Sequence, residues 1–252
     1  LERFLYRISV SPRRDRFLLK GALLFSLWYE SPRRPTRDAD LLGLDSLGTS
    51  EIAEVFKELC VLGCDDGMRY LPDTVRAEEI REDARYGGVR VTLLGMLGNA
   101  RCTVQVDVGS GDAVTPEPEL VLFPAILEDH PSPRLFAYPK ETVVAEKLEA
   151  IVSLGMANSR MKDYFDLHVL LGESAFDESL LATAIGRTFE RRRTTLPTGV
   201  PLGLSDEFAR ESAKNTQWQA FLAKNRLEAP PLDVAITGIR ARVLKLFALA
   251  AG

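Results

Sequence analysis

Asp38-Ala-Asp-Leu-Leu-Gly-Leu44 is the stretch on which the fold reading turns. It is short, apolar after its two acids and bounded by turn residues, which predicts a strand. Side chains alternate along a strand, so Asp38 and Asp40 share a face, roughly 6–7 Å apart along the backbone. Two carboxylates held that close repel unless a cation lies between them. Oxygen ligands of this kind suit magnesium, which takes one or two carboxylates together with phosphate oxygens. Taken alone, the pair fits a solvated acidic strand end equally well.

Upstream, Leu1, Phe4, Leu5 and Ile8 have helical spacing from the first residue, as if the chain began inside an element that extends further. A loop over Ser11 to Asp15 leads to the apolar run Phe17 to Leu19, and Lys20-Gly21 opens a predicted helix to about Tyr29, ended by Pro32 and Pro35. Gly21 and Ala22 are small residues where a strand meets a helix, a place where backbone N–H groups can approach a phosphate. They stand seventeen residues before Asp38, counting from Gly21.

Downstream, a helix is expected from Ser50, a good N-cap, to Cys60. From Thr74 to Val108 the pattern has period two. Val89, Val91 and Leu93 alternate with polar residues, as do Cys102, Val104, Val106 and Val108, and the Gly98-Asn99 turn makes these an antiparallel hairpin. Asp107 then projects from the face opposite the valines, beside Gln105. If its strand neighbours that of Asp38 and Asp40, three carboxylates converge, as a two-metal phosphoryl-transfer site requires. Gly109 to Pro118 reads as a polar loop.

After Pro139 the pattern is helical throughout. Expected helices run over Lys140 to Leu154, Arg160 to Leu171, Asp177 to about Arg192, Ser205 to about Lys224 and Ala235 to Ala250. The chain therefore reads as α/β (α+β), with a mixed-sheet core domain over residues 1–133 and an all-helical C-terminal domain over 134–252. On the first of these helices Lys147 falls on the apolar stripe with Val143, Val144 and Ile151, which suits either snorkelling or a site role. Ser159 is a plausible N-cap for the next helix. Asp163 shares a face with Leu167 and Leu170 and so needs a cation or hydrogen-bond donor as partner.

With 46% hydrophobic and 27% charged residues, the composition is that of an ordinary soluble protein. No apolar run reaches about 18 residues, and Leu1 to Val10 carries Glu2, Arg3 and Arg7 in place of a signal-peptide core, so a cytoplasmic protein is expected. The three cysteines, Cys60, Cys64 and Cys102, have no partners at metal-ligand spacing and are expected to be buried, reduced thiols. Net charge is −4, but unevenly spread: residues 1 to 37 hold nine Lys or Arg against three acids, and residues 38 to 133 hold seven against nineteen. A uniform basic coat is thereby excluded, while a local basic face at the N-terminus is not. Gly-x-Ser-x-Gly and the Gly-rich Lys-Ser/Thr phosphate loop are both absent, and His130 and His168 show no partner spacing.

Together, Phe17-Leu-Leu-Lys-Gly-Ala-Leu-Leu24, Arg34-Pro-Thr-Arg-Asp-Ala-Asp-Leu-Leu-Gly43, Gln105-Val-Asp-Val-Gly109, Tyr138-Pro-Lys-Glu-Thr-Val-Val-Ala-Glu-Lys-Leu148 and Arg160-Met-Lys-Asp-Tyr-Phe-Asp166 resemble the AbiEii/AbiGii family of nucleotidyltransferase toxins, which includes the MenT-type enzymes. The resemblance spans roughly residues 15 to 171. It implies a polymerase-β-like core, a helical C-terminal domain, and the toxin of a toxin–antitoxin pair with a cognate antitoxin as partner. It implies catalytic roles for Asp38, Asp40, Lys147 and Asp163, with Mg2+ on Asp38 and Asp40, to which the strand reading above adds Asp107 as a third metal ligand. Lys147 would hold the triphosphate of a bound NTP, and Asp163 is a candidate base for the acceptor hydroxyl. Lys20, Gly21, Ala22, Thr36 and Lys162 complete the expected nucleotide contacts. The family often has Gly-Gly followed by Ser or Thr where Ala22 and Leu23 stand here.

Family members with an assigned substrate add nucleotides to the acceptor end of tRNA. An RNA acceptor needs a basic surface, for which Arg13, Arg14, Arg16, Arg33, Arg34 and the run Arg191, Arg192, Arg193 with Arg187 one turn earlier are the candidates. The alternatives are nucleotide transfer to a small molecule or a protein, which does not need those arginines, and a non-catalytic nucleotide-binding module.

Overall fold

The computed structural model describes residues 1–29, 35–45, 47–83 and 86–252. The chain divides into two compact units: residues 1–112 with 118–138, and residues 113–117 with 139–252. The division falls after Tyr138, beyond the boundary read at residue 133, because residues 134–137 form a strand of the first unit's sheet.

In the first unit, helix α1 (Glu2–Val10) precedes strand β1 (Phe17–Lys20), the short helix α2 (Phe25–Trp28), β2 (Asp38–Gly43) and α3 (Thr49–Cys60). Strands β3 (Met68–Asp83), β4 (Tyr86–Leu97), β5 (Ala100–Ser110), β6 (Glu119–Leu122) and β7 (Arg134–Ala137) follow. The described strands make one mixed sheet in the order β3-β4-β5-β2-β1-β7-β6. The β4–β5 hairpin turns at Gly98-Asn99, as its alternation predicts. β6 and β7 were not evident in the sequence, being only four residues long each, too short for a period to register.

One face of this sheet is a closed apolar layer. Phe17 meets Phe56 of α3 edge-on, and Phe4 of α1 stacks on Phe56 with ring centroids 5.6 Å apart and meets Tyr70 of β3 edge-on at 5.0 Å. Ala39 and Leu41 of β2 and Val104, Val106 and Val108 of β5 share that face and are buried. A buried pair pins α1 beneath: Arg7 Nη1 and Nη2 reach Asp66 at 2.5 and 2.8 Å, and Tyr70 lies under the guanidinium. Helix α3 is capped by Gly48, whose N–H donates to Glu51 Oε2 at 2.8 Å, rather than by the expected Ser50.

The second unit is helical: α4 (Lys140–Leu154), α5 (Met161–Glu173), α6 (Glu178–Arg191), α7 (Asp206–Arg210), α8 (Ser212–Asn225) and α9 (Leu232–Ala251). Ser205 caps α7, accepting from Phe208 N–H, and the single helix expected from Ser205 to about Lys224 is broken at Glu211, whose carboxylate accepts from Lys214 N–H and starts α8. Arg160 rather than Ser159 is the residue before α5, with Asn158 Oδ1 accepting its N–H. Residues 113–117 join this unit because Thr142 Oγ1 accepts from Thr115 N–H and donates to Thr115 O, both at 2.8 Å. Of the thiols, Cys60 is buried and pushed up to about 11 by desolvation, but Cys64 is half-buried and Cys102 exposed, contrary to expectation. The position of Cys102 near the turn end of the hairpin accounts for its exposure.

Candidate active site

The polar face of the sheet is set by register. Antiparallel β1–β2 pairing puts Lys20 opposite Asp40, parallel β2–β5 pairing puts Asp40 beside Asp107, and antiparallel β4–β5 pairing puts Arg90 opposite Asp107. Lys20, Asp40, Asp107 and Arg90 thus form one row across four strands. Asp38 stands two residues along β2 on the same face, beside Gln105.

Each acid is held differently. The Thr36 hydroxyl donates to Asp38 Oδ1 at 2.5 Å, which orients that carboxylate. Asp40 lies against the bare α-carbon of Gly21: a β-carbon built there would sit 1.9 Å from Asp40 Oδ2. Asp107 is buried, and both its oxygens are engaged, accepting from Arg90 Nε at 2.8 Å and Nη2 at 2.6 Å. Gln105 Nε2 reaches Asp107 Oδ1 only at 3.5 Å. Bonding to Asp107, with Asp38 and Asp40 adding their fields, raises the Arg90 guanidinium further above its ordinary range.

The expected convergence of three carboxylates is therefore incomplete. Asp107 is in register with Asp40, but its charge is turned to Arg90, and among the described residues no three His, Cys, Asp or Glu side chains gather as a metal-binding group. The pair Asp38 and Asp40 still fits a hard divalent cation. It offers carboxylate oxygens at alternate strand positions, and the absent side chain of Gly21 leaves the Asp40 carboxylate its place.

Lys20 is buried, its ammonium 2.8 Å from Asp112 Oδ2 and over the Tyr138 ring. The helix predicted from Gly21 begins there as a 3-10 turn over Gly21–Leu24 and runs on into α2. Gly21 has φ +73°, a left-handed conformation that glycine adopts without steric cost. Gly21 and Ala22 stand at the start of that helical stretch, where the sequence placed them, and the Ala22 side chain is buried.

In the second unit Lys147 and Asp163, both singled out from the sequence, meet: Lys147 Nζ lies 2.9 Å from Asp163 Oδ1 and 2.7 Å from Asp166 Oδ2, and Arg160 Nε lies 2.7 Å from Asp163 Oδ2. Asp163 and Asp166 are fully buried. Burial alone would push Asp163 up, but the charges of Lys147 and Arg160 and the Lys147 hydrogen bond outweigh it and hold the carboxyl below its usual range. A carboxylate so held is a weak proton acceptor. Lys162, by contrast, is exposed.

Arg90, Asp166 and Arg160 were missed as site residues, although two signals were available. Pairing about a two-residue Gly98-Asn99 turn fixes Arg90 opposite Asp107, and residues three apart on a helix, such as Asp163 and Asp166, share a face.

The arginines divide. Arg13 is bonded to Glu58, Arg14 to Asp15 and Arg16 to Asp45 in the first unit, while Arg33 and Arg34 lie outside the described residues. Arg191 and Arg193 are exposed, as is Arg187, which reaches Thr115 Oγ1 at 3.4 Å. Arg192 departs from its expected role: it is 12% exposed, donates to Glu149 Oε2 at 3.0 Å and lies 3.4 Å from Glu146, so it ties the end of α6 to α4. A cavity of about 420 Å³ in the second unit, between the α5–α6 connection and α9, is lined by none of the expected site residues.

Comparison with known proteins bears on the family and the fold. No curated protein matches the chain. Two solved structures share its fold: JHP933 from Helicobacter pylori, 13% identical with a TM-score of 0.53 over 99% of this chain and 90% of that one, and an H. pylori protein solved as a candidate nucleotidyltransferase, 14% identical with a TM-score of 0.53 over 99% and 92%. The family described as "Nucleotidyl transferase AbiEii toxin, Type IV TA system" matches residues 3–239. The chain belongs to the AbiEii family of nucleotidyltransferase toxins of type IV toxin–antitoxin systems.

Proposed function

We propose that this chain transfers a nucleoside monophosphate from an NTP to an RNA, most specifically the 3′ end of tRNA, and that it depends on a divalent cation, Mg2+, held by Asp38 and Asp40. The observation that carries this reading is the carboxylate pair on one face of β2, with Thr36 orienting Asp38 and Gly21 making room for Asp40. When bound, the cation would neutralise phosphate charge and favour ionisation of the attacking hydroxyl. The protein's own part is positioning: rigid strands fix the carboxylates, and their registry leaves little reorganisation for the reaction. Lys147 is assigned to the triphosphate, ordered by Asp163 and Asp166. Asp163 is accordingly better suited to orienting that lysine than to taking the acceptor's proton. Arg187, Arg191 and Arg193, together with the N-terminal arginines, are assigned to RNA phosphates. The cytoplasm, where tRNA and an antitoxin partner are found, is the expected setting; no described helix is long and apolar enough to cross a membrane.

Incubating the protein with each labelled NTP, Mg2+ and total RNA, beside Asp40→Asn, tests this. Label entering RNA with the wild type alone is expected. Label in a small molecule or in protein would transfer the proposal to that acceptor, and label with neither enzyme would remove it.

A further inference from the structure

The transferase reading leaves unexplained why the third carboxylate of this face, Asp107, is occupied by an arginine. Arg90 Nε and Nη2 engage Asp107 Oδ1 and Oδ2 in a two-point fork, the geometry in which a guanidinium binds a carboxylate most strongly. Its partner cannot move away, since Asp107 lies in the middle of β5, hydrogen-bonded between β2 and β4, with its side chain 7% exposed. Arg90 can, because 42% of its side chain is exposed and its long stem can swing into solvent. It also feels the charges of Asp38 and Asp40.

We propose that Arg90 is a resident counter-cation for the carboxylate row, a positioning residue that withholds Asp107 from divalent ions. While the fork is closed the face takes up one ion, through Asp38 and Asp40, and Asp107 becomes a ligand only when Arg90 withdraws. The triphosphate is the natural trigger, since its oxygens accept the same two-point fork. This inference rests on the carboxylate-pair reading of the site and adds to it an order of events: nucleotide first, second ion after.

Mn2+ uptake by the full chain without nucleotide, read from the paramagnetic resonance signal of the free ion, tests the proposal. Wild type is expected to bind one ion. Arg90→Gln is expected either to bind a second or to hold the first on the order of tenfold more tightly, the scale of one charge-assisted fork. Asp107→Asn placed on Arg90→Gln should return uptake to the wild-type level, and Arg90→Lys, which keeps the charge without the fork, should fall between. Thermal melting of each variant confirms that it is folded. If Asp40→Asn abolishes wild-type uptake while Arg90→Gln changes nothing, the carboxylate-pair reading stands and the role of Arg90 is overturned. If Asp40→Asn leaves uptake unchanged, the parent reading fails and this inference with it.

Discussion

Gly21 shows how much one missing methyl group decides. Its φ of +73° is closed to most L-residues, and its α-carbon faces the Asp40 carboxylate, where a β-carbon would lie 1.9 Å from Oδ2. Gly21→Ala therefore combines backbone strain of roughly 1–3 kcal/mol with displacement of a proposed metal ligand. Thermal melting should show the first. The second should appear as a fall in transfer rate of about a hundredfold or more, against near-wild-type folding at low temperature. A variant that melts early but transfers normally would show that the Asp40 carboxylate need not stay where it is. The sequence made the acids legible because strand alternation is a simple rule. The meaning of Gly21 was legible only in part: the sequence places it at a helix terminus, where it stands, but its close approach to Asp40 depends on the pairing of Lys20 with Asp40, which joins residues twenty apart.

Among the elements, α4 and α5 are coupled by charge where helices of this kind usually meet through apolar side chains. Lys147 on α4 lies between Asp163 and Asp166 on α5, and both acids are buried. Removing one partner from a buried pair typically costs roughly 3–5 kcal/mol because it strands the other charge. Asp163→Asn should fall toward the lower end, since Asp166 still faces Lys147, although Arg160 loses its anion. The pH dependence has a definite sign. Asp163 is held below its ordinary value of 3.8, so its stabilisation is complete above that pH and is lost as pH falls through the lower folded value. Melting temperature measured from neutral pH downward should drop steeply below about pH 4 in the wild type and less steeply in Asp163→Asn. Parallel curves would mean that the pair contributes nothing to acid stability. Helical periodicity made both helices legible, and the burial of Asp163 with them. That its partner would be Lys147 could not be read, because periodicity assigns a residue to a face without saying which helix the face meets.

Over the whole molecule, charge is segregated along the chain, and the basic residues differ in how far they reach solvent. The nineteen acids among residues 38 to 133 oppose a polyanion. Arg13, Arg14 and Arg16 each already face a carboxylate. Arg187, Arg191 and Arg193, exposed at the end of α6, are the cations proposed above for RNA phosphates, whereas Arg192 within the same run belongs to the packing of α6 on α4. The two kinds of arginine should separate by experiment. Reversal of Arg187, Arg191 and Arg193 to Glu should leave the melting temperature nearly unchanged and weaken RNA binding. For a single strand, each phosphate contact contributes about 0.7 to the slope of log affinity against log salt. Losing three contacts should therefore flatten the slope by about 2. Arg192→Ala should do the reverse, leaving the salt slope alone but costing about 2–3 kcal/mol of stability, since Glu149 loses a charged partner in a largely buried position. Filter binding across a salt series decides the matter: a triple reversal that leaves the slope unchanged takes the acceptor off this face of the second unit and shifts the assignment to Arg13, Arg14 and Arg16, which would then have to exchange their carboxylate partners for phosphates.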